Sequence, residues 1–84
     1  MQHIEIAQRL GLTMRDLESL VKGEATNSVA TKLGVNMMDI EEFTRGNATL
    51  AMTQRLGFHT MNAASELAQT TNGAGVLIGY MLKL

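Results

Sequence analysis

The stretch VKGEAT, residues 21–26, returns as TRGNAT at 44–49, and the residues ahead of it return as well. Ala7 recurs as Ala30, Leu10 as Leu33, Gly11 as Gly34, Met14 as Met37, Asp16 as Asp39 and Glu18 as Glu41, each 23 residues on. One further step reaches Thr53, Arg55, Leu56 and Gly57 before the match fades. A chain that repeats so short a unit must build its fold from copies of one supersecondary element. That element is therefore the first thing to read.

In the second copy, SVATKLGVNMMDIEEFTRG, the apolar residues Val29, Leu33, Val35, Met37, Ile40 and Phe43 fall at helical rather than alternating spacing. Gly34 interrupts them, and glycine accepts the positive φ that ends a helix. Asn36 is a good N-cap, and Asp39 follows three residues on, where a carboxylate favours a helix start. The unit reads as helix, tight turn, helix over 28–33 and 37–45, closed by Gly46. The first copy reads alike: Thr13 caps, Asp16 completes the capping-box pattern TMRD, and Gly23 closes.

In the third copy Thr53 stands for Ala30, Ala63 for Ile40, Glu66 for Phe43 and Gln69 for Gly46. Its second helix is expected to run on through TMNAASELAQ until TNGAG breaks it, and to serve packing.

The spacing predicts an all-α fold, a compact bundle of five to six short helices built from ~23-residue helix-turn-helix repeats. A solenoid is the less favoured arrangement, because its repeats are usually longer. Helices are predicted near 3–10, 14–22, 28–33, 37–45, 50–56 and 60–70, with turns at Gly11, Gly34 and Gly57. The predicted core is Ile6, Leu10, Leu17, Leu20, Val29, Leu33, Ile40, Phe43 and Leu56. Residues 1–72 form the repeated helical domain, and 73–84 an apolar C-terminal segment.

That segment, GAGVLIGYMLKL, fits no repeat. Gly73, Gly75 and Gly79 make a helix costly, whereas Val76, Ile78 and Tyr80 favour a strand. A lone strand leaves backbone donors and acceptors unpaired. The simplest partner is the same segment of a second chain, which makes 74–84 a dimerisation strand across a two-fold axis. The competing account is a helix from Ala74 to Leu84, in which Leu77 and Met81 cover the bundle.

Composition narrows the function classes. With 84 residues, 45% of them hydrophobic and 18% charged, the chain is one small globular domain rather than a disordered segment. It has no cysteine, so a reducing, cytoplasmic setting is expected and thiolate metal sites are excluded. No run approaches the roughly 20 apolar residues of a membrane span, and MQHIEIAQRL lacks the basic lead and apolar stretch of a signal peptide. His3 and His59 have no metal-ligand spacing to other donors. TNGAGVLIG lacks a phosphate-loop lysine, and no nucleophile stands with a matching base. No enzyme, cofactor or metal is expected. Met14, Met37 and Met52 fall at repeat positions that a core would fill.

The stretch VATKLGVNMMDIEEFTRG resembles the helix-turn-helix of the Cro and lambda-repressor-like regulators. Ala30 matches that family's small crossing residue, Gly34 its turn glycine and Ile40 its buried branched residue. Val29, Leu33, Val35 and Phe43 take its other core positions. IAQRLGLTMRDLESLVKG fits equally through Ala7, Gly11, Leu17 and Leu20, so the resemblance spans residues 6–46.

The resemblance implies that second helices enter the major groove, and that a C-terminal ribbon like the Cro dimer seam sets two motifs about one DNA turn apart. By register the outward residues of the second copy are Asn36, Met37, Met38, Glu41, Glu42 and Arg45, whose adjacent carboxylates repel phosphate. In the first copy they are Thr13, Met14, Arg15, Glu18, Ser19 and Lys22; Arg15 suits guanine, and Ser19 and Lys22 suit phosphates. The third offers His59, Thr60, Met61, Ala64 and Ser65. Candidate nucleic-acid contacts are therefore Arg9, Thr13, Arg15, Ser19 and Lys22.

The implied function is a small, dimeric, DNA-binding transcriptional regulator with double-stranded DNA as partner. The alternative is a helical protein–protein interaction module, an adaptor or antiactivator that keeps the fold and grips another regulatory protein. The acidic second face and a net charge of −1 motivate it. Lys22 and Arg45, like Arg9, Lys32 and Arg55, also stand where a helix C-terminus favours a cation.

Overall fold

The computed structural model describes residues 2–70 and 72–84. These form α1 (His3–Leu10), α2 (Met14–Val21), α3 (Asn27–Leu33), α4 (Met37–Thr44), α5 (Leu50–Leu56), α6 (Met61–Thr70) and α7 (Gly73–Lys83). The fold is all-α, with seven helices where five to six were expected, and no strand occurs among the described residues.

Local chemistry sets the boundaries. Gly11, Gly34 and Gly57 end α1, α3 and α5 in the left-handed region, at φ 73°, 74° and 81°. A β-carbon there costs roughly 1–2 kcal/mol, which is why glycine returns at this step. At the start of α2 the Asp16 N–H donates to the Thr13 hydroxyl at 3.1 Å, and the Thr13 N–H donates to the Asp16 carboxylate at 3.2 Å. In α4 the Asn36 N–H donates to the Asp39 carboxylate at 3.2 Å. A further set of caps lies at the same step. The side chains of Thr26, Thr49 and Asn72 accept from Val29, Met52 and Ala74 N–H groups at 3.4, 3.3 and 3.0 Å, opening α3, α5 and α7.

Each helix packs on the next along the chain, and α7 lies against α1, α2, α4 and α6. Leu17, Leu20, Val29, Leu33, Ile40, Phe43, Met52, Leu77 and Met81 make the fully buried centre, with Leu10 beside them. Ile6 and Leu56 sit half-buried at its margin. Of the methionines expected inside, Met52 is buried, Met14 half-buried and Met37 exposed. The Cα radius of gyration, 11.7 Å, matches the roughly 12 Å of a compact chain this long. No helix among the described residues is long and apolar enough to cross a membrane.

Two expectations are corrected. Residues 74–84 are not a strand: Gly73–Lys83 is helical. The Asn72 cap satisfies the Ala74 and Gly75 N–H groups, and Ala74, Leu77 and Met81 are buried. That burial outweighs the glycine cost of about 1 kcal/mol each. One of these glycines is required. A β-carbon on Gly73 would stand 2.8 Å from the Phe43 carbonyl oxygen and 3.0 Å from the Thr44 Cα, so only glycine lets α7 start against α4. As a helix the segment bonds its own backbone, and the physical demand for an antiparallel ribbon lapses.

The third copy is also out of register. Thr60, not the residue at the matching step, caps α6 by accepting from the Ala63 N–H at 3.1 Å. One extra turn residue moves the buried stripe to Ala64 and Ala68, so Ala64, expected to face outward, is buried.

Candidate interaction surface

Of the five candidate nucleic-acid contacts, Arg15 lies exposed on α2 and Lys22 exposed at its C-cap, with Glu18 exposed between them. Ser19 is half-buried, and Arg9 lies exposed on α1, in its last turn. The Thr13 hydroxyl is committed: it donates to the Asp16 carboxylate at 3.0 Å while accepting from the Asp16 N–H. Slight burial works against ionisation of Asp16, but the N–H and hydroxyl of Thr13 bond its carboxylate, and the nearby hydroxyls of Thr26 and Ser28 favour its charge. Together they hold its carboxyl below the ordinary aspartate range. Asp16 is thus committed to the start of α2.

The other second helices present different chemistry. On α4, Met38 is 72% exposed and Met37 39%, while Glu41 and Glu42 are half-buried. Arg45 pairs with Glu42 at 3.4 Å and so turns part of its charge back on its own helix. On α6, Met61 and Glu66 are exposed, whereas the Ser65 hydroxyl accepts from the Ala48 N–H at 3.0 Å. The exposed His59 adds no charge network, and among the described residues no three His, Asp or Glu side chains converge as metal ligands.

Sequence reasoning missed two features. The first is Arg55. Its Nε–H donates to the Leu33 carbonyl at 2.7 Å, its guanidinium carbon stands 5.6 Å from the Tyr80 ring centre, and the Tyr80 hydroxyl donates to the Arg55 carbonyl at 2.9 Å. The recurrence of a cation at 9, 32 and 55 was a usable signal. Its reach back to the previous copy was not visible in the pattern.

The second is a set of three shallow depressions about α3 and α5. Three shallow depressions share walls: Asn27 and Thr31 belong to the first and second, Gly34 and Val35 to the second and third. The first lies between the α1–α2 turn and α3, the second by the α3–α4 turn, and the third between that turn and α5. Asn27, Ser28, Thr31, Lys32, Asn36, Gln54 and Arg55 give them polar walls, and the Asp39 carboxylate accepts from the Asn36 N–H beside the second. Met37 borders the second beside Asn36. A separate apolar groove, walled by Leu56, Phe58, Leu67, Val76 and Tyr80, runs between α7 and the α5–α6 pair. No family model, no curated protein and no solved structure matches this chain.

Proposed function

We propose that this chain is a helical docking module, an adaptor or antiactivator that keeps the helix–glycine–helix form of Cro-like regulators and grips another protein. One observation carries the reading. On every second helix, the element that such a motif sets in the major groove, the outer side bears a carboxylate or exposed methionine. Glu18 of α2 lies between Arg15 and Lys22; Met38 with Glu41 and Glu42 marks α4; Met61 and Glu66 mark α6. DNA contact needs lysine and arginine to displace counterions from phosphates, and a carboxylate at that position opposes it. Exposed methionines, flexible and polarizable, suit an adaptable protein contact.

DNA contact through α2 is the second reading, favoured by one feature. Arg15 on α2 and Lys22 at its C-cap, both exposed, stand seven residues apart, about two turns that would follow a groove wall. Titration of random duplex DNA at low salt separates the two. The docking reading expects no saturable binding. Binding that falls steeply with salt and is lost in Arg15→Ala and Lys22→Ala overturns it.

A further inference from the structure

We infer that the Asn72–Gly73 peptide unit is a self-modification site, held back while α7 is seated on α4 and released when α7 lifts away. The inference is independent of the docking reading.

Sequence and packing together create the site. Asparagine stands at 27, 36, 47, 62 and 72, and only Asn72 is followed by glycine. With no side chain on that following residue, its backbone nitrogen can approach the asparagine amide carbon unhindered. Both residues are placed by the fold. Asn72 takes the cap position that Thr26 and Thr49 hold at the earlier steps, and it alone of the three carries an amide. Gly73 is demanded by α4, because its β-carbon would stand 2.8 Å from the Phe43 carbonyl oxygen.

The chemistry needs only water. The Gly73 nitrogen gives up its proton and attacks the Asn72 amide carbon, Cγ. A new N–Cγ bond closes a five-membered imide, the Cγ–Nδ2 bond breaks, and the nitrogen leaves with the proton as ammonia. Water then opens the ring at either carbonyl. Attack at Cγ gives aspartate; attack at the main-chain carbonyl gives isoaspartate, in which the chain runs on through the side-chain carboxyl.

The seated helix opposes the first step. Ring closure needs the Gly73 nitrogen eclipsed with the Asn72 Cβ, which in an L residue requires a negative ψ. Asn72 instead has ψ 108°, turning that nitrogen away from its side chain. The Asn72 Oδ1 also accepts from the Ala74 and Gly75 N–H groups at 3.0 and 3.3 Å, and Gly73 is buried. Rotation about ψ therefore breaks the cap and lifts Gly73 from α4, so the rate follows the opening of α7.

The two products differ in consequence. Aspartate keeps the cap acceptor and adds a negative charge that a helix start favours. Isoaspartate adds a methylene to the main chain just before Gly73, where α4 leaves no room for a β-carbon, so Leu77 and Met81 lose their seats. An opening of α7 is thereby made permanent.

The test incubates the full chain at mildly alkaline pH, in buffer and in guanidinium chloride, and locates the one-unit mass gain by peptide fragmentation. In denaturant Asn72 should convert ahead of the other four asparagines. In buffer its conversion should be slower by about ten-fold or more. Gly79→Ala, which strengthens α7, should slow it a further two- to five-fold (about) in buffer and not in denaturant. Asn72→Thr, which restores the cap residue of α3 and α5, should melt like the parent and gain no mass in that peptide. The purified isoaspartyl form should melt below the parent. Conversion of another asparagine first overturns the site. Equal rates in buffer and denaturant, or no effect of Gly79→Ala in buffer, overturn the control by α7, and an isoaspartyl form that melts like the parent overturns its consequence.

Discussion

Arg55 on α5 closes the end of α3: its Nε–H meets the Leu33 carbonyl at 2.7 Å. That carbonyl belongs to the last turn of a helix ended by Gly34, where backbone acceptors lack intrahelical partners and the dipole favours a cation. One side chain therefore joins the second copy to the third, and the ring and hydroxyl of Tyr80 bring α7 into the same joint.

Arg55→Ala should lower unfolding free energy by about 1–3 kcal/mol, since it removes a charged donor from a half-buried acceptor. Tyr80→Phe, which loses only the hydroxyl bond to the Arg55 carbonyl, should cost about 0.5–1.5 kcal/mol. Urea denaturation read by circular dichroism measures both.

Two glycines of α7 should respond with opposite sign. At Gly73 a β-carbon meets backbone at 2.8 Å, so Gly73→Ala should destabilise by about 1–3 kcal/mol despite better helix propensity. At Gly79 it meets nothing within 4 Å, so Gly79→Ala should stabilise by about 0.5–1 kcal/mol. Paired thermal melts decide the matter, and equal shifts would refute the close crossing of α7 on α4.

Ile40→Ala should cost about 2–5 kcal/mol, because Ile40 is completely buried at the centre of α4. Ile6→Ala should cost less, its side chain being only half-buried. Against a total stability of about 5–15 kcal/mol, the first change threatens the native state.

Asp16 gives a pH signature. Its carboxyl is held below the ordinary aspartate value by the bonds from Thr13, helped by the nearby hydroxyls of Thr26 and Ser28. A lowered folded-state value means that the unfolded chain binds the proton more readily. The stabilisation is therefore present above the ordinary aspartate value and lost as pH falls through the lower, folded one. Asp16→Asn should flatten that acid limb of stability. Unfolding midpoints of the two chains measured from about pH 6 down to about pH 2 give the comparison.

The first two copies were legible from residues alone because their signals are local. Gly11 and Gly34 need positive φ, Thr13 with Asp16 forms a box within four residues, and Leu17, Leu20, Ile40 and Phe43 share a helical face. The tail misled because its decisive facts are tertiary. Glycine propensity spoke against a helix, while the burial of Leu77 and Met81 and the approach of Gly73 to α4 depend on residues some thirty positions away. The cap step that runs from Thr26 through Thr49 to Asn72 was nonetheless present in the sequence, and would have placed a helix start there. In the third copy a one-residue longer turn moved Ala64 inward, and constant-step reasoning has no means of seeing an insertion.

The candidate site was legible in part for the same reason. Exposure of Arg15 and Lys22 follows from helix register, but the commitment of Thr13 to its cap and the partial burial of Ser19 follow from packing. The shallow depressions about α3 and α5 draw on residues of three copies, and no single window of the sequence contains them.

The most direct measurement of the docking claim replaces the exposed Met38 with a photo-reactive aromatic residue in the cell of origin and identifies what it captures. A single discrete polypeptide adduct, competed away by the unlabelled chain and abolished by Met37→Glu, is the expected result. Capture of nucleic acid at that position, or of no polypeptide that the unlabelled chain competes for, contradicts the account.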